Sequence, residues 1–328
     1  MKHTTASTGS HFVAIGKSGF INIANDVRSN WGRLAARSRQ QDPFCCSPKW
    51  QLSFHEAYSP HRNLLVRSDV DALIAFAEKR FSEHEVYLTP IEPKWFFGNP
   101  LLGERSPELL AETIFEMPNW HAPIFPKILI SGLAPSGKTL KKIQNIFGKQ
   151  FRFWRHSKGV QCSASLRGGL NGFLSRRSTN QRRNFKRASA KASKSGLTFE
   201  RQKPDCVSDA TDIYKRMVAV ERSSWKGIQN CGMVGGSTEQ FYRVMLCKLS
   251  ESADARVIFA QHEGRDIGYI FGGMIGDIYR GQQFSFDAEW NSYSIGNLMQ
   301  LEQISWLCEE GAKRYDMGAD GRHAHHQI

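Results

Sequence analysis

The chain has 328 residues, 40% hydrophobic and 23% charged, a globular balance with enough apolar material for the cores of about two domains without disulfide support. Its 44 basic and 31 acidic residues leave a net charge of +13, which favours anionic partners such as nucleic acid, a phosphate-bearing donor or an acidic surface. Seven cysteines (Cys45, Cys46, Cys162, Cys206, Cys231, Cys247 and Cys308), odd in number and irregularly spaced, argue against a disulfide framework or a four-cysteine zinc site and suit a reducing compartment.

The opening MKHTTASTGSHF has no apolar core of a secretion signal, and no apolar run approaches the roughly 18 residues of a membrane span. A cytoplasmic location is expected. Residues 1–11 are polar and read as disordered, and residues 12–23 as a strand or hairpin edge. Val27, Trp31, Leu34 and Ala35 then fall at helical spacing. Ser47-Pro48 reads as an N-cap followed by proline at the first helical position. NLLVRSDVDALIAFAEK reads as two strands around a turn at Ser68-Asp69, FPKILISG as a strand, TLKKIQNIF as a helix, and FRFWRHSKGVQCSASL as strand again.

Residues 172–195 form a basic helical stretch. Phe185, Ala188 and Ala192 share one face, and Arg183, Lys186, Arg187, Lys191 and Lys194 the other. With Arg182 they make Arg182, Arg183, Lys186 and Arg187 the candidate anion-binding residues. IYKRMVAVERSSW reads as an amphipathic helix. From Ala255, ARVIFAQ, DIGYIFGGMIG and IYRGQQFSFD read as three consecutive antiparallel strands joined by turns at His262-Glu263-Gly264-Arg265 and Gly276-Asp277. A loop over AEWNSYSIG leads to a helix with Leu298, Leu301, Ile304, Leu307 and Cys308 inward, capped by Gly311, and KRYDMG closes as a strand.

Gly132-Leu-Ala-Pro-Ser-Gly137-Lys138-Thr139 matches the phosphate-cradling G-x-x-x-x-G-K-T between an apparent strand and helix. No strand ending in an acidic magnesium partner follows at ordinary distance. The antiparallel pattern downstream is also foreign to the parallel sheet of nucleotide hydrolases, so a plain connection is expected. The tail Arg322-His323-Ala324-His325-His326 has no cysteine or acidic cluster to complete a metal site, and no metal is expected.

The order of the last half carries more. A helix bearing Trp225-Lys226-Gly227 precedes the three strands. The loop-to-helix junction at Ser294, Ile295, Gly296, Asn297 and Leu298 offers free backbone N–H groups and the positive end of a helix dipole, a physical site for a pyrophosphate.

On these segments the chain resembles the GNAT acetyltransferase superfamily and, more narrowly, the branch named after CelD, the cellulose-biosynthesis-associated acetyltransferases, relatives of the Fem peptidyltransferases. The resemblance rests on PFCCSPKW, SRRSTNQRRNFKRASAKASKSGLTFE, ERSSWKG and above all FSFDAEWNSYSIGNLMQLEQISWLCEEGAKRYDMG. It implies an α/β (α+β) fold of tandem GNAT-like domains, each a mostly antiparallel mixed sheet flanked by helices: residues 12–165 a degenerate N-terminal domain, residues 166–328 the acyltransferase domain. It implies that two neighbouring strands splay apart, that the arm of an acyl-CoA or acyl-carrier-protein donor pairs with the freed edge, and that its pyrophosphate rests on Ser294 to Leu298. Of the family's Q/R-x-x-G-x-G/A turn only Gly296 is kept. GNAT folds continue past the Y-D-x-G strand with a further strand pair; here Ile328 follows soon after, so a second subunit in a homodimer is one expected source.

Transfer to an amine needs alignment, a base and an oxyanion donor. Asp287 is the first candidate base, with Glu289 and Glu221 behind it. Trp225, Lys226, Tyr293 and Asp316 are candidate substrate contacts, Trp225 more by packing than by stacking. The expected function is N-acyl transfer from a thioester to an amine of a small molecule, amino sugar or peptide. The alternatives are an aminoacyl-tRNA-dependent Fem-like transferase, which suits the charge, and a non-catalytic binding module on the same scaffold.

Overall fold

The structure, a computed structural model, describes residues 11–12, 23–38, 42–82, 85–117, 120 and 124–319. The His-rich segment 322–326 and most of residues 1–22 lie outside them. The chain divides into two compact units, residues 1–157 and 158–328.

The first unit runs β1 (His11–Phe12), α1 (Asn25–Arg37), α2 (Pro48–Tyr58), β2 (Leu64–Asp69), β3 (Ala72–Ser82), β4 (Glu85–Pro90), β5 (Leu101–Leu102), α3 (Ser106–Glu116), β6 (Lys127–Ile128) and α4 (Lys138–Phe147). Val27, Trp31, Leu34 and Ala35 are the buried face of α1, as their spacing requires. Ser47 caps α2, its hydroxyl accepting from the Trp50 N–H at 3.4 Å with Pro48 in the first turn. The sheet order is β1-β2-β3-β4-β6, with β5 on β3. Every pair is antiparallel except β4 with β6.

Three local expectations need correction. The β2–β3 pairing continues through Asp69 and Ala72, so the turn lies at Val70-Asp71. The strand expected over FPKILISG is the two-residue edge β6, whose exposed Lys127 is held by Glu85 and Tyr87. Residues 151–160 form no strand; 152–160 are exposed throughout, so no apolar face is buried to hold one. The G-x-x-x-x-G-K-T segment is a connection: Gly137 caps α4, and a Cβ on Gly132 (φ +66°) would lie 3.0 Å from the Gly98 carbonyl oxygen, so chain packing explains that glycine.

Glu92 is 1% exposed, with one carboxylate oxygen accepting from the Trp95 N–H and the other from the Phe97 N–H at 3.2 Å. Burial pushes its carboxyl up to about 7 against those bonds.

The second unit runs β7 (Gln161–Ser165), α5 (Gly169–Ser175), α6 (Thr179–Lys194), β8 (Thr198–Gln202), α7 (Val207–Ser223), the single turn α8 (Trp225–Ile228), α9 (Gly236–Ser250), β9 (Ala255–His262), β10 (Arg265–Ile275), β11 (Ile278–Phe286), a 3-10 turn (Ala288–Tyr293), α10 (Ile295–Glu309) and β12 (Arg314–Ala319). The order is β7-β12-β11-β10-β9-β8. Only β11 and β12 are parallel, with α10 as the crossover between them. Both sheets are thus mixed and flanked by helices, the fold class the sequence suggested.

The β9–β10 hairpin turns on Glu263 (φ 49°) and Gly264 (φ 75°), both left-handed as a tight primed turn requires. The basic stretch breaks into α5 and α6 where Ser178 caps α6, its hydroxyl accepting from Gln181 N–H at 3.2 Å. In α10, Leu298, Ile304 and Leu307 are buried as expected, whereas Leu301 and Cys308 are half-buried and Trp306 and Gln303 take inward positions. The outer edge of β12 is filled by β7 of the same chain, antiparallel over Gln161–Ser165. The missing-pair argument for a second subunit therefore falls away at that edge.

A forked strand pair as the candidate active site

The parallel partners β11 and β12 are in register only over Ile278–Arg280 and Arg314–Asp316. Beyond that, β12 keeps only β7, with which it pairs from Arg314 to Ala319, while β11 continues to Phe286. A bulge helps to part them: Phe271 opposes Gln283 and Gly272 opposes Gly281, leaving Gln282 extra, and a bulge bends its strand. The result is a fork whose β11 side has no strand partner from Gly281 onwards among the described residues.

Backbone alternation decides what that side offers. Asp287 N–H donates to the Ile267 carbonyl at 2.8 Å, so Gln283, Ser285 and Asp287 fall in the pairs bonded to β10. Phe284 and Phe286 therefore turn their N–H and C=O groups into the fork.

Lys226 takes up one of them. Its Nζ donates to the Phe284 carbonyl at 2.7 Å and to Gln283 Oε1 at 3.3 Å. Burial lowers the ammonium's pKa, opposed by the nearby Glu221 and Cys231. Gln283 is itself held by its amide donating to the Tyr242 hydroxyl at 2.7 Å. Ser224, two residues before Lys226, makes an antiparallel bridge with Asp287, so the segment after α7 lies across the far end of the open edge. Apolar side chains rim the fork: Phe284 is 38% exposed, Met317 46% and Trp225 47%. Trp225 was expected to pack; it stands out instead, because the one-turn helix α8 buries none of its residues.

The carboxylates divide between the two ends. Asp287, 7% exposed, caps the 3-10 turn by accepting from Glu289 N–H at 3.1 Å, with Arg265 at 3.4 Å. Glu289 is exposed, 4.0 Å from the same arginine. Asp316 is 1% exposed at the closed end, accepting from Arg314 at 2.8 Å and in register with the buried Arg280. Six residues lie between Arg280 and Asp287, seven steps of about 3.3 Å along the strand, so Asp316 and Asp287 do not form one catalytic pair. Glu221 is fully buried, accepting from the Tyr269 hydroxyl at 2.9 Å and from Met233 N–H at 3.0 Å. A Cβ on Gly232 would lie 2.2 Å from its Oε1, so the 231–233 loop closes directly over it. With no water-facing atom, Glu221 holds Tyr269 and that loop in place.

At the N-terminus of α10, Ser294 is left-handed (φ 56°). Its carbonyl accepts from the N–H groups of Asn297 and Leu298, at 3.0 and 3.2 Å. The N–H groups of Ile295 and Gly296 make no hydrogen bond among the described residues. Ile295 and Leu298 bury their side chains, so this turn presents its backbone together with the exposed side chains of Ser294 and Asn297. A Cβ on Gly296 would sit 3.2–3.3 Å from the rings of Phe284 and Phe286; close packing on β11 explains this glycine.

The basic helix α6 docks against this turn. Lys191 Nζ donates to the Ser292 carbonyl at 2.9 Å and lies 4.0 Å from the centre of the Tyr293 ring. Arg183, Arg187 and Lys191 are spaced by four residues, one row along a helix face, so the row leads up to the turn before α10. Arg182 bonds back to Thr179, and Lys186 points to solvent. The helix carries six cations, Arg182, Arg183, Lys186, Arg187, Lys191 and Lys194, and no acid. Tyr293, expected to touch substrate, has one face covered by Lys191 and packs on Trp290 at 4.8 Å.

The sequence named Lys226, Asp287 and the α10 turn, and the fold brings them to one fork. It did not single out Gln283, Tyr242, Tyr269 or Arg265 as their supports. The alternation in IYRGQQFSFD was the available signal for Gln283. A backbone acceptor such as the Phe284 carbonyl leaves no letter in the sequence.

Residues 179–326 match the family model described as an acetyltransferase (GNAT) domain. Among solved structures the chain is similar to FemX (10% identity, TM-score 0.59, covering 90% of this chain and 88% of that one). It is also similar to L-PGS from Bacillus licheniformis (14% identity, TM-score 0.51, covering 83% and 76%). A third likeness is to a conserved protein of unknown function from Bacteroides thetaiotaomicron (12% identity, TM-score 0.57, covering 91% and 89%). At these identities the likeness is one of fold. No curated protein sequence matches the chain. The match to a GNAT-type acetyltransferase domain begins with the first residue of α6 and takes in every later element through β12.

Proposed function

We propose that the second unit, residues 158–328, is an N-acyltransferase that moves an acyl group from acyl-CoA, or from an acyl-carrier protein, to an amine of a small molecule, amino sugar or peptide. The first unit is then a degenerate copy of the same fold. The forked β11/β12 pair carries this reading. An extended amide-bearing arm pairs with an unpartnered strand edge by main-chain hydrogen bonds, and Phe284 and Phe286 offer that edge. A pyrophosphate suits the free N–H groups of Ile295 and Gly296 at the positive end of α10, with Arg183 and Arg187 supplying further charge. The apolar rim of Trp225, Phe284 and Met317 suits the arm and its acyl group.

In this reading Asp287 takes the proton from the attacking amine, directly or through water, with Glu289 as the second candidate. An open-edge N–H receives the developing oxyanion. Thiol release from an acyl-CoA in the presence of a panel of amines tests it. Amine-dependent release that collapses in Asp287→Asn supports the reading. Release that no amine accelerates, or full activity in the double variant Asp287→Asn/Glu289→Gln, refutes the assignment of the base.

One observation favours a second reading, an aminoacyl-tRNA donor as in the Fem-like alternative: α6 has six cations and no acid, a footprint suited to a nucleic-acid backbone. Tight tRNA binding that weakens steeply with salt supports it; weak binding indifferent to salt removes it.

A further inference from the structure

Lys226 is held as a nucleophile is held. Its ammonium makes no ion pair within salt-bridge distance among the described residues; its hydrogen bonds go to a carbonyl and an amide oxygen. The Nζ therefore sits on the open edge of β11, beside the Phe284 carbonyl, the position where the amide arm of a thioester donor would pair. Burial lowers the pKa of this ammonium, so the neutral amine is reached at a lower pH than in an exposed lysine. A bound thioester carbonyl alongside a neutral, positioned amine is a near-attack arrangement.

Resting on the thioester-donor reading above, we propose that Lys226 is a self-acylation site: a donor bound in the fork acylates the Lys226 Nζ. The Nζ lone pair attacks the thioester carbonyl, the N–C bond forms and the C–S bond breaks. The leaving thiolate takes the proton released from Nζ, so the products are Nε-acyl-Lys226 and free thiol, with no oxidant or reductant required. The amide product keeps one N–H, enough to donate to the Phe284 carbonyl, and its acyl group lies where the donor's acyl group would. Acylation at Lys226 therefore occupies the fork and slows further turnover.

The test is full-length protein incubated with acetyl-CoA, read by intact mass and peptide mapping, with donor binding followed separately by thermal melting. The expected result is one acetyl group at Lys226, added about tenfold or more faster than at exposed lysines such as Lys141 and Lys215. Its rate should saturate with acetyl-CoA and climb to a plateau at a lower pH than an ordinary lysine. Lys226→Arg keeps a donor to the Phe284 carbonyl; it should still be stabilised by acetyl-CoA and gain no saturable modification. Stabilisation by acetyl-CoA without modification at Lys226, or modification there no faster than at Lys141, overturns this proposal and leaves the transferase reading standing. No stabilisation by any acyl-CoA, with no saturable labelling, overturns both.

Discussion

Lys226 Nζ and the Phe284 carbonyl, 2.7 Å apart, join the segment after α7 to the stretch of β11 whose side away from β10 has no strand partner among the described residues. The edge is left free because β12 pairs with β11 for three residues only, while it stays paired with β7 from Arg314 to Ala319. A strand edge inside a folded domain is a hazard unless something covers it. Here a lysine covers one carbonyl and the Ser224 bridge covers the far end, and the rest stays available to an extended ligand.

Glu221 supports this arrangement from beneath. Glu221→Ala leaves the buried Tyr269 hydroxyl and Met233 N–H without their acceptor, a loss of about 3 kcal/mol for two unsatisfied groups. Urea unfolding should show it as a lower midpoint with an unchanged slope. Wild-type stability in Glu221→Ala, with activity lost, would make Glu221 a chemical participant rather than a support.

At the closed end, Gly318 has φ +92°, and a Cβ there would meet the Arg280 guanidinium at 2.9–3.0 Å. Gly318→Ala combines a disfavoured backbone with displacement of a buried arginine, and should lower stability by about 2 kcal/mol. Arg280 pairs in register with Asp316, so the fork should loosen and donor affinity fall with it; calorimetric titration reads the second effect.

Charge reversal on the α6 row should act on the donor alone. Arg183→Glu/Arg187→Glu alters exposed side chains, so the melting temperature should hold while affinity for a phosphate-bearing donor drops about tenfold at low salt. The gap between variant and wild type should close as salt is raised. An equal loss at all salt concentrations would place the effect elsewhere.

Glu92 gives the first unit a pH signature. Its folded value of about 7 lies above the ordinary 4.5, so between those limits the folded chain holds more protons than the unfolded one. Stability from this group is therefore full below about pH 4.5 and is lost as pH rises through 7, by up to about 3 kcal/mol. His55, which burial lowers to about 4, works in the opposite sense between pH 4 and 6.5. The clean comparison is thus Glu92→Gln against wild type: the difference in urea midpoint should move in favour of the variant from pH 5 to pH 8.

Much of the second unit was legible in the sequence. The near-continuous apolar runs of β9 and β10 follow from burial on both faces, and the 3–4 spacing in α10 from burial of one. Helix α9 was legible too, through Phe241, Tyr242, Met245, Leu246 and Leu249, although it went unread. β7 was legible as a strand within FRFWRHSKGVQCSASL, but not its bounds: QCSAS buries only Ala164, and its place is fixed by backbone bonds to β12. The fork was hidden for the same reason. Gln282 looks like any strand residue, and only the register on both sides reveals it as the extra one. At Gly296 a Cβ would press on the rings of Phe284 and Phe286, a packing constraint that local sequence does not display.

The central claim is that the fork binds an acyl thioester. The most direct measurement is the melting temperature of the purified chain against acetyl-CoA, a long-chain acyl-CoA, CoA and ATP with magnesium. A ligand that binds only the folded state raises the midpoint. A concentration-dependent rise is expected with at least one acyl-CoA, reduced in Arg183→Glu/Arg187→Glu, and none with ATP. A midpoint unmoved by every thioester, or raised by ATP alone, would contradict it.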